Sequence, residues 1–225
     1  PVFGMCLNGD YAYLACGTNG LRIVNVADPA NVFEVGVYIH EFEPEVDENG
    51  DPIEPPPPIE FYDVDVVGSI ACTATGKTGL MVLDVANPAE PTLLAKDAGE
   101  TTYQVRLSNA IETETQADIY AYSIIDSTSS LRVRRIRVDD TGVTLTYIRS
   151  VGTGTRADDI YLREGRLYLS RPDGTLLAYD ISSTPDNPKQ INNVWLSQEL
   201  LAVYATDHYL FAACGNDGVK IYLFQ

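Results

Sequence analysis

The sequence is built from copies of itself, and this constrains its fold more than any single residue does. Sliding it by 59 positions lays Gly9 to Asn31 (GDYAYLACGTNGLRIVNVADPAN) on Gly68 to Glu90 (GSIACTATGKTGLMVLDVANPAE) without a gap, and ten of the 23 positions are identical. Ordinary composition would give roughly one or two. A slide of 198 lays Tyr11 to Ile23 on Tyr209 to Ile221 with six identities in 13. Two degenerate copies lie between them. One runs through Ile119-Tyr120-Ala121-Tyr122 to Leu131-Arg132-Val133, the other through Gly165-Arg166-Leu167-Tyr168 to Leu176 and Tyr179-Asp180-Ile181.

Each copy has the same grammar: a short alternating strand, a turn at Gly, a Tyr/Ala-rich strand, a second Gly turn, a Leu/Val/Ile strand, then a proline turn and a last strand. Val64 and Val66, Val105 and Leu107, and Ile160 and Leu162 recur at period two, the period of a strand. Asp28-Pro29, Asn87-Pro88 and Asn187-Pro188 mark turns, because the residue before proline is pushed out of the helical region. Four short strands in about 45 residues, repeated five times, is the spacing of propeller blades. A β-solenoid is the rival, but its repeats are shorter. The expected fold is one all-β domain, a five-bladed β-propeller, with blades at about 1–40, 61–98, 101–151, 155–197 and 199–225 and an insertion at 41–60.

Gly20-Leu21-Arg22-Ile23-Val24-Asn25-Val26-Ala27-Asp28-Pro29 and Gly79-Leu80-Met81-Val82-Leu83-Asp84-Val85-Ala86-Asn87-Pro88, each after a Tyr-Ala or Ile-Ala strand, resemble the LVIVD-repeat proteins. The resemblance covers two copies well, the last in part and the middle two weakly. It implies a propeller of the kind found in bacterial and archaeal exported or cell-surface proteins, and it implies no defined catalytic residues.

The 32 acidic and 15 basic residues leave a formal charge of −17. Such a field repels phosphate backbones and anionic lipid, both of which are bound by neutralisation with Lys and Arg, so nucleic acid and membrane are poor partners. No apolar run approaches the ~20 residues of a membrane span, and the sequence opens at Pro1 on a strand-like segment with no basic-plus-apolar leader, so either a leader has been removed or the sequence has been trimmed. Cys6, Cys16, Cys72 and Cys214 are too few for a disulfide scaffold and match no zinc spacing. Cys16 and Cys214 share one repeat position, where blade two has Thr75, which fits packing better than bridging.

Departures from the repeat carry the functional signal, since the shared positions are explained by packing. The largest is His40 to Glu60 (HEFEPEVDENGDPIEPPPPIE), with eight acidic residues among 21. Asn49-Gly50 signals a hairpin, and Pro55 to Pro58 a stiff extended arm. The arm reads as a docking element through Glu41, Glu43, Glu45, Asp47, Asn49 and Asp51, or as a solvated insertion. Asp47-x-Asn49-x-Asp51 resembles the start of a calcium loop, but Pro52 and Pro58 stand where that loop needs glycine and glutamate, so no cofactor is expected, with calcium or another cation as the lesser alternative. The fifth copy supplies only three strands. Its outer edge, with Lys220, Tyr222 and Phe224, is expected to be capped by a loop or to pair with a strand from elsewhere. Asn109 to Asp118 reads as a polar surface loop.

With two histidines, His40 and His208, a Ser-His-Asp triad or multi-histidine metal site is hard to build. Carboxylates remain. Asp63 and Asp65 sit on the inner strand of blade two, Gln104 is equivalent to Asp63 in blade three, and Asp158 and Asp159 open the inner strand of blade four. Around a channel mouth, Asp63, Gln104, Asp158 and Asp159 would hold a cation or polar ligand, and Asp63, Asp65 and Asp159 would be the acid, base and modulator of a glycosidase. Asp before an apolar strand also accepts backbone hydrogen bonds, and the ring is incomplete at Gly4 and Ala202. Arg132, Arg134, Arg135 and Arg137 are the one basic cluster; alternation turns Arg132 and Arg134 outward, with a slip at Arg135 that signals a bulge or an edge strand. Repeated tyrosines fit packing between blades, or sugar stacking. The expected function is a non-enzymatic binding or scaffold propeller, acting in protein–protein interaction or self-association at the cell surface. The alternative is a glycan-acting hydrolase or lectin.

Overall fold

Glycine sets the length of the strands. Gly9 and Gly68 adopt φ of +58° and +59°, the left-handed region closed to most side chains, and so each first strand reverses after five residues. The third strand of each strong copy is stopped by its own side chain: Asn25 Oδ1 accepts the N–H of Ala27 (3.1 Å), and Asp84 Oδ1 that of Ala86 (2.8 Å). The Asp28-Pro29 and Asn87-Pro88 turns follow, and the fourth strand returns along the third.

The computed structural model describes residues 1–43, 47–49, 51, 53–97, 100–125 and 129–223. Five antiparallel sheets follow one another around one axis, a five-bladed β-propeller in which, among the described residues, buried clusters join each blade to the next but none joins blade five to blade one. Blade one holds β1 (Gly4–Asn8), β2 (Tyr11–Ala15), β3 (Leu21–Asn25) and β4 (Phe33–Tyr38); blade two holds β5 (Asp63–Val67), β6 (Ile70–Ala74), β7 (Leu80–Asp84) and β8 (Thr92–Asp97). Blade three holds β9 (Thr102–Leu107), β10 (Ile111–Glu112), β11 (Gln116–Ile125), β12 (Ser130–Asp139) and β13 (Gly142–Gly152). Blade four holds β14 (Asp159–Arg163), β15 (Arg166–Ser170), β16 (Thr175–Asp180) and β17 (Lys189–Trp195), and blade five β18 (Ala202–Ala205), β19 (Tyr209–Ala213) and β20 (Val219–Leu223).

The core lies between the blades. Separate buried clusters join blades one and two (Tyr13, Leu21, Ile23 against Val64, Val66), two and three (Cys72, Leu80, Val82 against Val105, Ile136), three and four (Tyr122, Leu131, Val133 against Ile160, Leu169) and four and five (Tyr168, Leu176 against Val203, Leu210). Blades two to four therefore have two buried faces each, which is why β7 reads Leu-Met-Val-Leu instead of alternating.

Blade three departs from the expected pattern in two places. Asn109 to Asp118 is not a plain loop: it contains β10, which pairs with the start of β11, so this blade's middle strands run ten residues instead of five. The ladder between β12 and β13 slips between Val133 and Arg134, the expected bulge. Arg134 does not face solvent. It is buried, paired with Asp97 and Glu100 and bonded to Ser123 Oγ (3.1 Å), because the face opposite Leu131 is covered by blade two.

Candidate functional site

The five inner strands all begin at one face of the ring, so the side chains just before and at each start surround the channel mouth. A cleft of about 390 Å³ opens there, lined by Phe3, Tyr62, Asp63, Tyr103, Gln104 and Arg106 among others, with Asp159 across from Asp63. Asp63, Gln104 and Asp159 are thus brought together. Asp65 lies one pleat deeper, and Asp158 lines an adjoining cavity of about 60 Å³ with Arg156.

What these groups do follows from their partners. Asp63 Oδ2 accepts the N–H of Val105 (3.1 Å), Gln104 Oε1 that of Ile160 (3.1 Å) and Asp159 Oδ2 that of Val203 (3.2 Å). Each acceptor stands at the same repeat position and holds the inner strand of the next blade: one latch joins blades two and three, one joins three and four, one joins four and five. Asp65 adds a second, from Leu107 N–H (2.8 Å). Blade one has Gly4 here because there is no room for more; a β-carbon on it would lie 2.4 Å from Asp63 Oδ1.

Arg106, which sequence reasoning missed, reaches back to Asp63 at 2.5 Å. Burial pushes the Asp63 carboxyl up, while the Arg106 guanidinium and the N–H groups of Val105 and Val64 oppose that. The carboxylate is thereby committed to a cation and a backbone donor. Asp158 sits against Arg156 (3.3 Å). Cys6 donates to Asp65 Oδ1 (3.2 Å), and burial, reinforced by the Asp65 charge, pushes its thiol up to about 12. All four cysteines are free thiols. Among the described residues no three His, Cys, Asp or Glu side chains gather as a metal would require.

The rim above the latches is aromatic and open. Phe3 packs on Tyr62 (centroids 5.4 Å) and Tyr62 meets Tyr103 edge-on (4.9 Å), with Phe3 and Tyr103 both exposed. The signal for them was their shared place in the repeat, immediately before Gly4, Asp63 and Gln104. Beside this rim rises the acidic arm. Its base is pinned by the buried Ile59 and Phe61 and by a stack of Tyr38, His40 and Phe42. Glu41, Glu43, Asn49 and Asp51 are exposed, and Asp47 organises a tight turn by accepting the N–H groups of Asn49 (2.8 Å) and Asp51 (3.0 Å). Glu45 and Gly50 lie outside the described residues, as does Phe224. On β20, Lys220 pairs with Asp217 (3.0 Å) and Tyr222 Oη donates to Leu196 O (3.4 Å), so both turn toward blade four. The residues that β20 exposes are Val219, Ile221 and Leu223. No helix among the described residues is long and apolar enough to cross a membrane.

Comparison with known proteins agrees with this architecture. The LVIVD repeat matches residues 4–39 and 61–96. No curated protein matches the chain. Among solved structures, a candidate 6-phosphogluconolactonase from Bacteroides fragilis superposes with a TM-score of 0.63 at 14% identity over 98% of this chain and 65% of its own. One from Bacteroides uniformis does so at 0.63 and 13%, over 100% and 68%. A chain from the crystal structure of BBS1N in complex with ARL6DN gives 0.59 at 14%, over 99% and 63%. The chain thus spans about two thirds of these structures, and at such identity the likeness is one of fold alone. The chain is a five-bladed β-propeller whose first two blades match the LVIVD repeat.

Proposed function

We propose that this propeller is a non-enzymatic binding module that takes a protein partner on its channel-mouth face, between the aromatic rim and the acidic arm, outside the cell. The observation that carries the reading is the latching of the mouth carboxylates. A glycosidase needs one carboxyl free to give a proton and another free to attack or to activate water. Here Asp63, Asp65 and Asp159 each hold a backbone N–H of the neighbouring blade, and Asp63 also holds Arg106.

The rim and the arm have what an interface needs. Aromatic rings offer large area at low entropic cost, and the arm supplies a ready field for a basic surface. Export is supported by the LVIVD resemblance. The test is a pair of measurements on the intact chain. Binding to surface proteins of the source cell should weaken together in Phe3→Ala/Tyr103→Ala and in a variant with Glu41, Glu43, Asp51 and Glu54 changed to Gln or Asn, and should fall as salt rises. Turnover of a glycoside or lactone panel that vanishes in Asp159→Asn while the melting temperature holds would overturn the reading.

A further inference from the structure

Four of the five interfaces around the ring bury their side chains; the fifth, between blade five and blade one, does not. The repeat identifies what is missing there. Met5 and Leu7 of β1 are the equivalents of Val64 and Val66 of β5, which lie against blade one at 1% and 7% exposure, yet Met5 and Leu7 are 60% and 63% exposed. On the other side, Val219 and Ile221 of β20 are the equivalents of Leu21 and Ile23, fully buried against blade two, yet they are 68% and 60% exposed. Their face of blade five continues through Tyr204, Phe211 and Ala213 without a charge. Terminal units of a repeat array that face water carry polar outer faces; that of blade five carries no charge, and that of blade one carries one ion pair, Arg22 with Glu34 (2.5 Å), among Met5, Leu7, Leu14, Val24 and Val37.

A backbone device points the same way. Gly17 exchanges two hydrogen bonds with Phe61 (2.9 and 3.0 Å), and Gly76 two with Thr102 (2.9 Å each), stitching the second turn of one blade to the start of the next inner strand. Gly215, the equivalent in blade five, has φ +50° in the same turn, closed by Cys214 N–H to Gly218 O (2.8 Å). Among the described residues no strand is bridged to it.

We propose that this seam seats further blades of the same polypeptide, each an antiparallel sheet apolar on both faces, entering beside Gly215 and leaving against Met5 and Leu7. The size of the gap follows from the propellers compared above. The two Bacteroides chains each match nearly all of this one but continue for about a third of their own length, which at about 45 residues per blade is two or three blades. In those proteins the remainder belongs to the same chain. A second copy of this protein would bring five blades to a space for about half that number, and sheets in the gap would otherwise leave both apolar faces in water.

The test compares the 225-residue segment with the natural polypeptide that contains it, by hydroxyl-radical footprinting and light scattering. Met5, Tyr204 and Phe211 should label about tenfold more slowly in the natural polypeptide, with Trp195 on β17 unchanged as the exposed reference, and the natural polypeptide should be a monomer with additional strand content. Equal labelling in the two, or a natural polypeptide of these 225 residues alone, overturns the proposal. So does protection already present in the segment: as a monomer it means that blades one and five close on each other, and as a dimer that a second copy fills the seam.

Discussion

Asp63, Asp65 and Asp159, the carboxylates from which the sequence would build a glycosidase, each accept a backbone N–H of the neighbouring blade in the molecule. Asp63 is buried, so removing its carboxylate strands the Val105 N–H and takes from Arg106 its ion pair, leaving that guanidinium the Val105 carbonyl and the cleft. An unsatisfied buried donor costs about 1–3 kcal/mol, more when it is charged. Asp63→Ala is therefore expected to lower stability by about 2–4 kcal/mol in urea titration, and Asp63→Asn, which keeps an acceptor for Val105, by less. If the two cost the same, the backbone latch carries nothing. Cys6 offers a second check at this scale. A thiol pushed up to about 12 is almost wholly protonated at pH 8, so Cys6 should react with a disulfide reagent on the order of a hundredfold more slowly than in the unfolded chain. Because the folded value lies above the unfolded one, its contribution to stability is full below about pH 9 and is lost as pH rises toward 12. Labelling with an apparent pKa near 9 in the folded protein would contradict the Asp65 contact.

At the scale of the strand and turn, the interfaces tolerate little extra volume. Gly36 on β4 passes so close to the turn of blade two that a β-carbon would lie 2.0 Å from the carbonyl oxygen of Pro88. Its backbone is ordinary, so the requirement is space and not conformation. Gly36→Ala should cost about 1–3 kcal/mol by parting the outer strand of blade one from blade two, whereas Gly36→Ala with no loss of denaturation midpoint would mean that the two blades are not in register there. Period-two strands, glycine turns and the Asp-Pro and Asn-Pro stops were legible in the sequence, because each is a local effect that the copies repeat. The orientation of Arg134 was not. Alternation says only that Arg134 lies opposite Leu131 and Val133; it takes the ring to show that a neighbouring blade, with Asp97 and Glu100, waits on that side as well. The latches were hidden for a related reason, since Asp63 and Val105 are 42 residues apart and their meeting is a property of adjacent blades. Likewise the exposed row of β20 is Val219, Ile221 and Leu223, not the alternate residues, a phase that the register with β19 sets.

For the whole molecule, the formal charge of −17 is the dominant long-range term. The arginines are largely spent locally, as Arg106 on Asp63, Arg132 on Glu100, Arg137 on Asp118 and Arg163 on Asp207. What remains is a surplus of carboxylates distributed over a small ring, with Glu41, Glu43, Asp51 and Glu54 gathered on the arm. Two effects of salt then compete. Screening weakens the ion pairs, but exposed pairs are worth only about 0–1 kcal/mol each and the buried pair of Arg134 is shielded from ions. Screening also relieves the repulsion among the surplus carboxylates, which acts over the full set and, at about 10 mM salt, extends over a Debye length of about 30 Å. The second effect should win. Raising sodium chloride from about 10 to 300 mM is expected to raise the melting temperature by about 3–6 °C, and neutralising the arm to Gln and Asn should remove part of that gain while leaving the Asp63 latch untouched. A melting temperature that falls with salt would mean that the ion pairs between blades outweigh the net charge, and would move the main electrostatic contribution from the surface of the ring to its interfaces.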